Sequence, residues 1–390
     1  MPEAMTMVFS EKEFQDRLRK VRSSMQLSGL DILLVHTPEN IFYLTGYQTP
    51  GYYTYQCLVL PITNEPIIVT RQIEVTNVKA RSWVKHTATF IGLEDTSGQN
   101  PVEVTCRVLQ EIGGPRPRIG VEKGSWFLTP LNLESLEKNL RSKFVDATNI
   151  VNDVRLVKSA NELINIRQAA RSVEKGMNAA IESIQEGKID LEVAAAFHAA
   201  SILAGSEYPG LPPFIATGKA SAIAHATWEG RKINRGDAVF LELPGCVNRY
   251  HAALERTAIV GKAPDKWVRI ADAVIGGLNA AIDAIKPGVT SGEVDAACRK
   301  VIGQAGFGQY YLHRCGYSIG IAFPPDWGEG HIFSLRANDN RVLEAGMVFH
   351  IPPGVFIYGE VGIAFSETVT VTETGCEVIT SYPRRLFVID

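Results

Sequence analysis

"FLELPGCVNRYHAALERTAIVG", residues 240–261, is the stretch whose reading decides the fold. Two strand-like runs flank the segment Pro-Gly-Cys-Val-Asn, which reads as the turn between them. Each run carries one glutamate, Glu242 and Glu255, among apolar neighbours. Glu255 directly precedes Arg256, and adjacent strand residues face opposite sides, so a surface Glu255–Arg256 pair is awkward. A carboxyl group in apolar surroundings has a raised pKa. That suits general acid–base work near neutral pH, or attack on an electrophilic carbon.

Working outward, strand-like runs recur at 238–243, 255–260, 347–351 and 363–371, with helical spacing at about 266–285 and 291–305. Before them, 154–184 is a long amphipathic helical region, with Ser159 and Glu162 spaced as a capping box. A second helix over 190–205 is stopped by Gly205. Hairpins with helices on one face predict an α+β domain over 156–390. Residues 1–155 alternate differently. A helix at 11–28 places Phe14, Leu18, Val21 and Met25 on one face and stops at Gly29. Strands follow at 30–36, 57–61, 66–70 and 118–122. Helices fall at 102–113, ended by Gly113-Gly114, and at 129–140. This alternation predicts a smaller α/β domain.

The length of 390 residues favours two domains at roughly 150 residues each. A hydrophobic content of 45% against 21% charged residues provides for an ordinary globular core. A net charge of −3 without a basic patch argues against nucleic acid and membrane surfaces as partners. The absence of an 18-residue apolar run argues against a spanning helix. The opening "MPEAMTMVFSEKEF" becomes charged at once and lacks a signal pattern, so a cytoplasmic location is expected. Six scattered cysteines without a CxxC pair read as free thiols in a reducing compartment.

Several ordered motifs carry a resemblance. They are "LLVHTPENIFYLTGY" (33–47), "INRGDAVFLELPG" (233–245), "ALERTAIVG" (253–261), "IKPGVTSGEV" (285–294), "HRCGYSIGI" (313–321), "LEAGMVFHIPPG" (343–354) and "SETVTVTETG" (366–375). Together they resemble the methionine aminopeptidase, prolidase and creatinase clan. The resemblance implies a C-terminal pita-bread domain behind a creatinase-type N-terminal domain. Metal-dependent members are similar to one another at five ligand positions. Those positions fall here on Glu242, Ala253, Tyr317, Pro352 and Ser366. Only Glu242 is an ordinary metal ligand; a tyrosine with a pKa near ~10 is a poor one at neutral pH. No metal and no cofactor are therefore expected. "ALERT" resembles creatinase, and "GYSIGIAFPPDWGE" (316–329) resembles the ectoine hydrolase branch, both metal-free.

The resemblance implies a metal-independent hydrolase that cleaves a C–N bond of a small cyclic amidine or amidino acid. Glu255 is the candidate nucleophile or general base, and His225 the candidate proton shuttle, with His313 as a second candidate. Tyr317, in the metal-histidine position, is a candidate hydrogen-bonding partner for the substrate. His350 and Glu360 are candidate substrate contacts, Trp327 a candidate apolar wall, and Glu367 an acid beside a lost ligand. Tyr52, with Tyr53 and Tyr55, is a candidate contribution from a neighbouring subunit, since clan members share sites across homodimers. Two other readings stay open: a metal-dependent Xaa-Pro peptidase, and an inactive homologue that binds a small molecule.

Overall fold

The computed structural model describes residues 7–91, 100–112, 114 and 116–390. Gly113 and the first six residues, which bear on the predicted end of one helix and on the reading of the N-terminus, lie outside the described residues. The chain divides into two compact units, Met1–Arg155 and Leu156–Asp390.

The first unit is built on a six-stranded sheet. Its strand order is His86–Phe90, Ile67–Arg71, Cys57–Pro61, Ile32–Val35, Ile119–Val121 and Val145–Asp146. The pairing is mixed: Ile32–Val35 runs antiparallel to Cys57–Pro61 and parallel to Ile119–Val121. The helix Glu11–Leu27 starts at Ser10, whose hydroxyl accepts the Glu13 N–H, and it buries Phe14, Leu18, Val21 and Met25 as the spacing predicts. Tyr55 packs into the core of this unit and its hydroxyl bonds Thr105 at 2.8 Å. It is therefore unavailable to a neighbouring subunit, which corrects one expectation.

In the second unit, a four-stranded sheet runs Phe387–Ile389, Tyr250–Val260, Ala238–Val247, Phe214–Thr217. A five-stranded sheet runs Ser334–Leu335, Gly316–Ser318, Val348–Ile351, Glu367–Val371, Cys376–Val378. A hairpin of Gly354–Ile357 with Val361–Ala364 completes the strands. The helices Ala160–Ser183 and Asp190–Leu203 cover one face of the first sheet, with Val173, Met177 and Phe197 against Leu241, Leu243 and Leu254. The helices Asp265–Ala284 and Ser291–Gln304 share a second core with the five-stranded sheet. The capping box at Ser159 and Glu162 is formed. The helical region around it breaks there into Asn149–Leu156 and Ala160–Ser183.

The turn in 240–261 is not where the Pro-Gly signal puts it. The strands run on through Pro244, paired with Ala253, and Gly245, paired with Ala252. The chain reverses at Asn248 and Arg249, with φ of 50° and 65°. Two successive positive φ angles make the tight turn that follows the strand twist, and Asn is among the residues that tolerate it. Pro244 is tolerated because the neighbouring strand Phe214–Thr217 pairs only as far as Glu242. Beyond that point the strand is an edge, where a missing N–H costs no ladder bond. Gly245 serves a close approach instead of a turn. A Cβ there would sit 2.1 Å from the Ala169 carbonyl oxygen on the covering helix.

Gly245→Ala is accordingly expected to destabilise the second unit by about 1–3 kcal/mol through overpacking, read as a lower urea midpoint with an unchanged slope.

Candidate active site

Strand register assembles the centre. Glu242 and Glu255 are directly opposed across the hairpin, and Phe214 is opposed to Glu242 on the next strand. These three therefore form one row on one face of the sheet. Phe240 and Thr257 form the adjacent row. The helices cover the opposite face, through Leu241, Leu243 and Leu254. Alternation thus delivers both carboxyls to the face that the helices leave open.

Arg256, next along the strand, points to the other side. Its Nη2 donates to Glu367 Oε1 at 2.7 Å and to the Tyr382 carbonyl at 2.7 Å. Nη1 donates to the carbonyls of Glu255 and Ser366, and Nε to that of Pro383. Glu367 also accepts from Arg384 at 3.1 Å. Glu367 is thus a buried structural anion.

The carboxyl pair is desolvated. Burial, first, and then the charge of the opposing acid push Glu255 well above the usual carboxylate range. Burial raises Glu242 to about 8, with the nearby Asp326 charge adding to it. One oxygen of Glu255 is buried without a hydrogen-bond partner. Two opposed acids in a dry site share a proton in preference to ionising together.

A second layer stands beside this pair. Tyr317 is paired across strands with His350. Trp327 Nε1 donates to the Tyr317 hydroxyl at 2.8 Å. His350 Nδ1 lies 2.9 Å from that same hydroxyl, and Nε2 lies 2.7 Å from Ser366 Oγ. Ser366 Oγ accepts the Glu255 backbone N–H at 2.6 Å. Burial raises Tyr317 far above its ordinary pKa, and the charges of Glu242, Glu255 and Asp326 act in the same direction. Burial lowers His350 to about 3, so its imidazole is neutral.

Trp327 is buried and packs on Phe214 with ring centroids 5.4 Å apart, and the exposed His225 also packs on Phe214, at 5.2 Å. His225 has a positive φ of 60°, uncommon outside glycine, so the loop turns sharply at this side chain. His313 is joined to the row less directly: its ring lies 6.2 Å from Phe356, which packs on Phe240 at 5.8 Å. Burial lowers its pKa, and Nδ1 lies 2.9 Å from the Arg314 carbonyl.

Two expectations need correction, and one residue was missed. Glu360 does not join the cluster: its carboxylate accepts from Lys266 Nζ at 2.7 Å and from Trp267 Nε1 at 3.2 Å. His350 is no free substrate contact, because it is fully buried with both ring nitrogens engaged. Tyr52 belongs to the first unit, on the turn Pro50–Tyr53, edge-on to Phe127 at 5.7 Å. Glu242 was read only as a surviving ligand position. The signal that could have found it is its equal offset from the turn: with reversal at Asn248-Arg249, residues 242 and 255 must face each other.

The clan implies a pair of divalent ions, and the donors present do not fit them. The five positions offer one carboxylate, a phenol held by Trp327 and His350, a serine bonded to His350, an alanine and a proline. Among the described residues, no three His, Cys, Asp or Glu side chains converge to hold a metal. No helix among the described residues is long and apolar enough to cross a membrane.

Comparison with known proteins gives two family matches: Metallopeptidase family M24 over residues 164–373 and the Creatinase/Prolidase N-terminal domain over 17–157. An ectoine hydrolase from Halomonas elongata is 31% identical, covering 97% of this chain and 98% of its own. A Xaa-Pro dipeptidase from Pyrococcus furiosus is 27% identical over 95% of this chain and 99% of its own. The solved prolidase from Pyrococcus horikoshii OT3 superposes with a TM-score of 0.83 at 26% identity, over 95% of this chain and 99% of that one.

The carboxyl pair has a consequence for stability. An unfolded glutamate loses its proton near ~4.3, whereas the folded pair holds its proton to higher pH. The native state then binds more protons than the unfolded state, so this contribution is full in acid and is lost as pH rises towards 8. Glu255→Gln is expected to flatten that decline and to be more stable than the parent at pH 8 by about 1–3 kcal/mol. Urea unfolding of both proteins at pH 5 and pH 8 checks the sign.

Proposed function

We propose, because the chain belongs to metallopeptidase family M24 and is a hydrolase acting on carbon–nitrogen bonds, that it opens a small cyclic amidine or amidino acid without a metal ion, as an ectoine hydrolase-like enzyme. The observation that carries this reading is the opposed Glu242–Glu255 pair, standing where the family's metal chemistry would need more carboxylates and an imidazole. An amidinium is already electrophilic at carbon, so Lewis-acid activation is less necessary. It is also a cation. Glu242, Glu255 and Asp326 supply negative charge, while Trp327, Phe214 and Tyr317 supply aromatic faces that attract cations.

Arrival of that cation favours the ionised form of the pair and expels its proton, so the substrate itself activates the base. Glu255 then either takes a proton from the attacking water, or adds to the amidinium carbon and is freed again when water cleaves the resulting covalent adduct after the C–N bond has broken. The C–N bond breaks as the ring nitrogen accepts a proton, for which His225, exposed beside Phe214, is the shuttle and His313 the alternative. Tyr317 donates a hydrogen bond to the reacting centre. The reading keeps a homodimer in the cytoplasm, with Tyr52 brought from the neighbouring subunit.

Glu255→Gln is expected to lose on the order of 10²-fold or more in kcat with the fold intact. The assay is hydrolysis of ectoine, hydroxyectoine, creatine and Xaa-Pro dipeptides by protein stripped of metal. Turnover of a cyclic amidine that survives chelators supports the reading. Activity confined to Xaa-Pro dipeptides, with a stoichiometric metal requirement, would replace it with a dipeptidase.

A further inference from the structure

The hydrogen-bond chain behind the carboxyl pair has only two self-consistent proton arrangements, and the ends of the chain choose between them. Trp327 Nε1–H can only donate, so the Tyr317 oxygen accepts at that end. The Glu255 backbone N–H can only donate, so the Ser366 oxygen accepts at the other. Between them His350 bonds both hydroxyls, at 2.9 and 2.7 Å. A neutral imidazole has one donor and one acceptor nitrogen.

In the first arrangement, Tyr317 donates to Nδ1 and Nε2–H donates to Ser366. The Ser366 proton is then left over, and Ser366 is fully buried. Among the described residues its hydroxyl has no partner besides His350 and the Glu255 N–H, which is itself a donor. A buried hydroxyl proton with no acceptor is costly. In the second arrangement, Ser366 donates to Nε2 and Nδ1–H donates to the Tyr317 oxygen. The leftover proton is now that of Tyr317, whose oxygen already accepts from Trp327 and His350. That hydroxyl belongs to a half-buried side chain, so its proton can reach solvent or a bound molecule, which the proton of the fully buried Ser366 cannot.

We propose that His350 is a positioning residue, held by Ser366 as the Nδ1–H tautomer, and that it fills the acceptor capacity of the Tyr317 oxygen so that the Tyr317 O–H is left to donate to whatever is bound at the site. No group changes charge, and each hydroxyl and the imidazole keep one proton. The tautomer is a property of the free protein. Only the use of the Tyr317 proton rests on the function proposed above.

The test has two arms. Protein labelled with ¹⁵N-histidine is examined by long-range ¹H–¹⁵N correlation, and the His350 signals are identified by their loss in His350→Asn. A pyrrole-type Nδ1 with a pyridine-type Nε2 is expected; the reverse pattern, or two protonated nitrogens, overturns the proposal whatever the substrate is. In the second arm, the amide nitrogen of His350→Asn stands where Nδ1 stood and can still donate to Tyr317, whereas that of His350→Gln stands where Nε2 stood. His350→Asn is expected to retain about tenfold more kcat than His350→Gln, the equivalent of one hydrogen bond. Equal kcat for the two variants overturns the proposal. Absence of turnover on every substrate in the parent protein counts against the functional reading and leaves the tautomer measurement intact.

Discussion

The five donors of the Arg256 guanidinium are all taken: by three backbone carbonyls of the C-terminal segment and its neighbour, by the carbonyl of Glu255, and by the Glu367 carboxylate. This buried ion ties the strand Tyr250–Val260 to the strand Glu367–Val371 and to residues 382–383. It also fixes the rotation of its own strand. With Arg256 locked on one side, Glu255 has to lie on the other, opposite Glu242. A slip of one residue would exchange the two faces and bury the wrong group on each. The structural cation Arg256 and the carboxyl of Glu255 are thus two outcomes of one register, separated by a single peptide unit.

That arrangement confines an unfavourable element. Two carboxyls facing each other, Glu242 half-buried and Glu255 buried with one oxygen without a partner, lower stability at neutral pH. A protein selected for stability alone would replace one of them. The cluster tolerates the pair because its surroundings are rigid: Ala253 on the same strand is clamped through both backbone groups by Thr368, at 3.0 and 2.9 Å. Glu255 is likewise held through both backbone groups by Ser366: its N–H donates to the Ser366 hydroxyl oxygen at 2.6 Å and its carbonyl accepts the Ser366 N–H at 3.2 Å. Strain retained at a site and supported from outside it is the usual mark of function.

Much of this was legible in the chain. Near-continuous apolar runs on either side of 244–249 give the strands, and the fixed period of a strand gives the opposite facing of Glu255 and Arg256. The capping box at Ser159 was readable because its parts lie three residues apart. What failed depended on partners distant in sequence. Pro244-Gly245 looks like a turn until one sees that the neighbouring strand stops at Glu242 and that a helix carbonyl occupies the space beside Gly245. Glu360, on a loop tip after glycine, looks available until Lys266 and Trp267 are found beside it, some ninety positions away in the chain. His350 reads as a substrate contact because nothing local shows that Tyr317 and Ser366 use both its nitrogens.

The positions at which relatives hold ions have been reused and not merely emptied. Tyr317 and Ser366, at two of them, are 33 and 16 residues from His350 in sequence, yet both bond its ring. An ion bridging several strands fixes their spacing by coordination; here a neutral imidazole between two hydroxyls does the same with directional bonds. The exchange alters what the site can do. A divalent cation would hold nearby carboxyls ionised and repel a cationic substrate. A neutral hydrogen-bonded layer leaves the pair free to keep its proton. Under the function proposed above, loss of the carboxylate ligands and selection of a positively charged substrate are one change, seen first in the donors and then in the charge the pocket accepts.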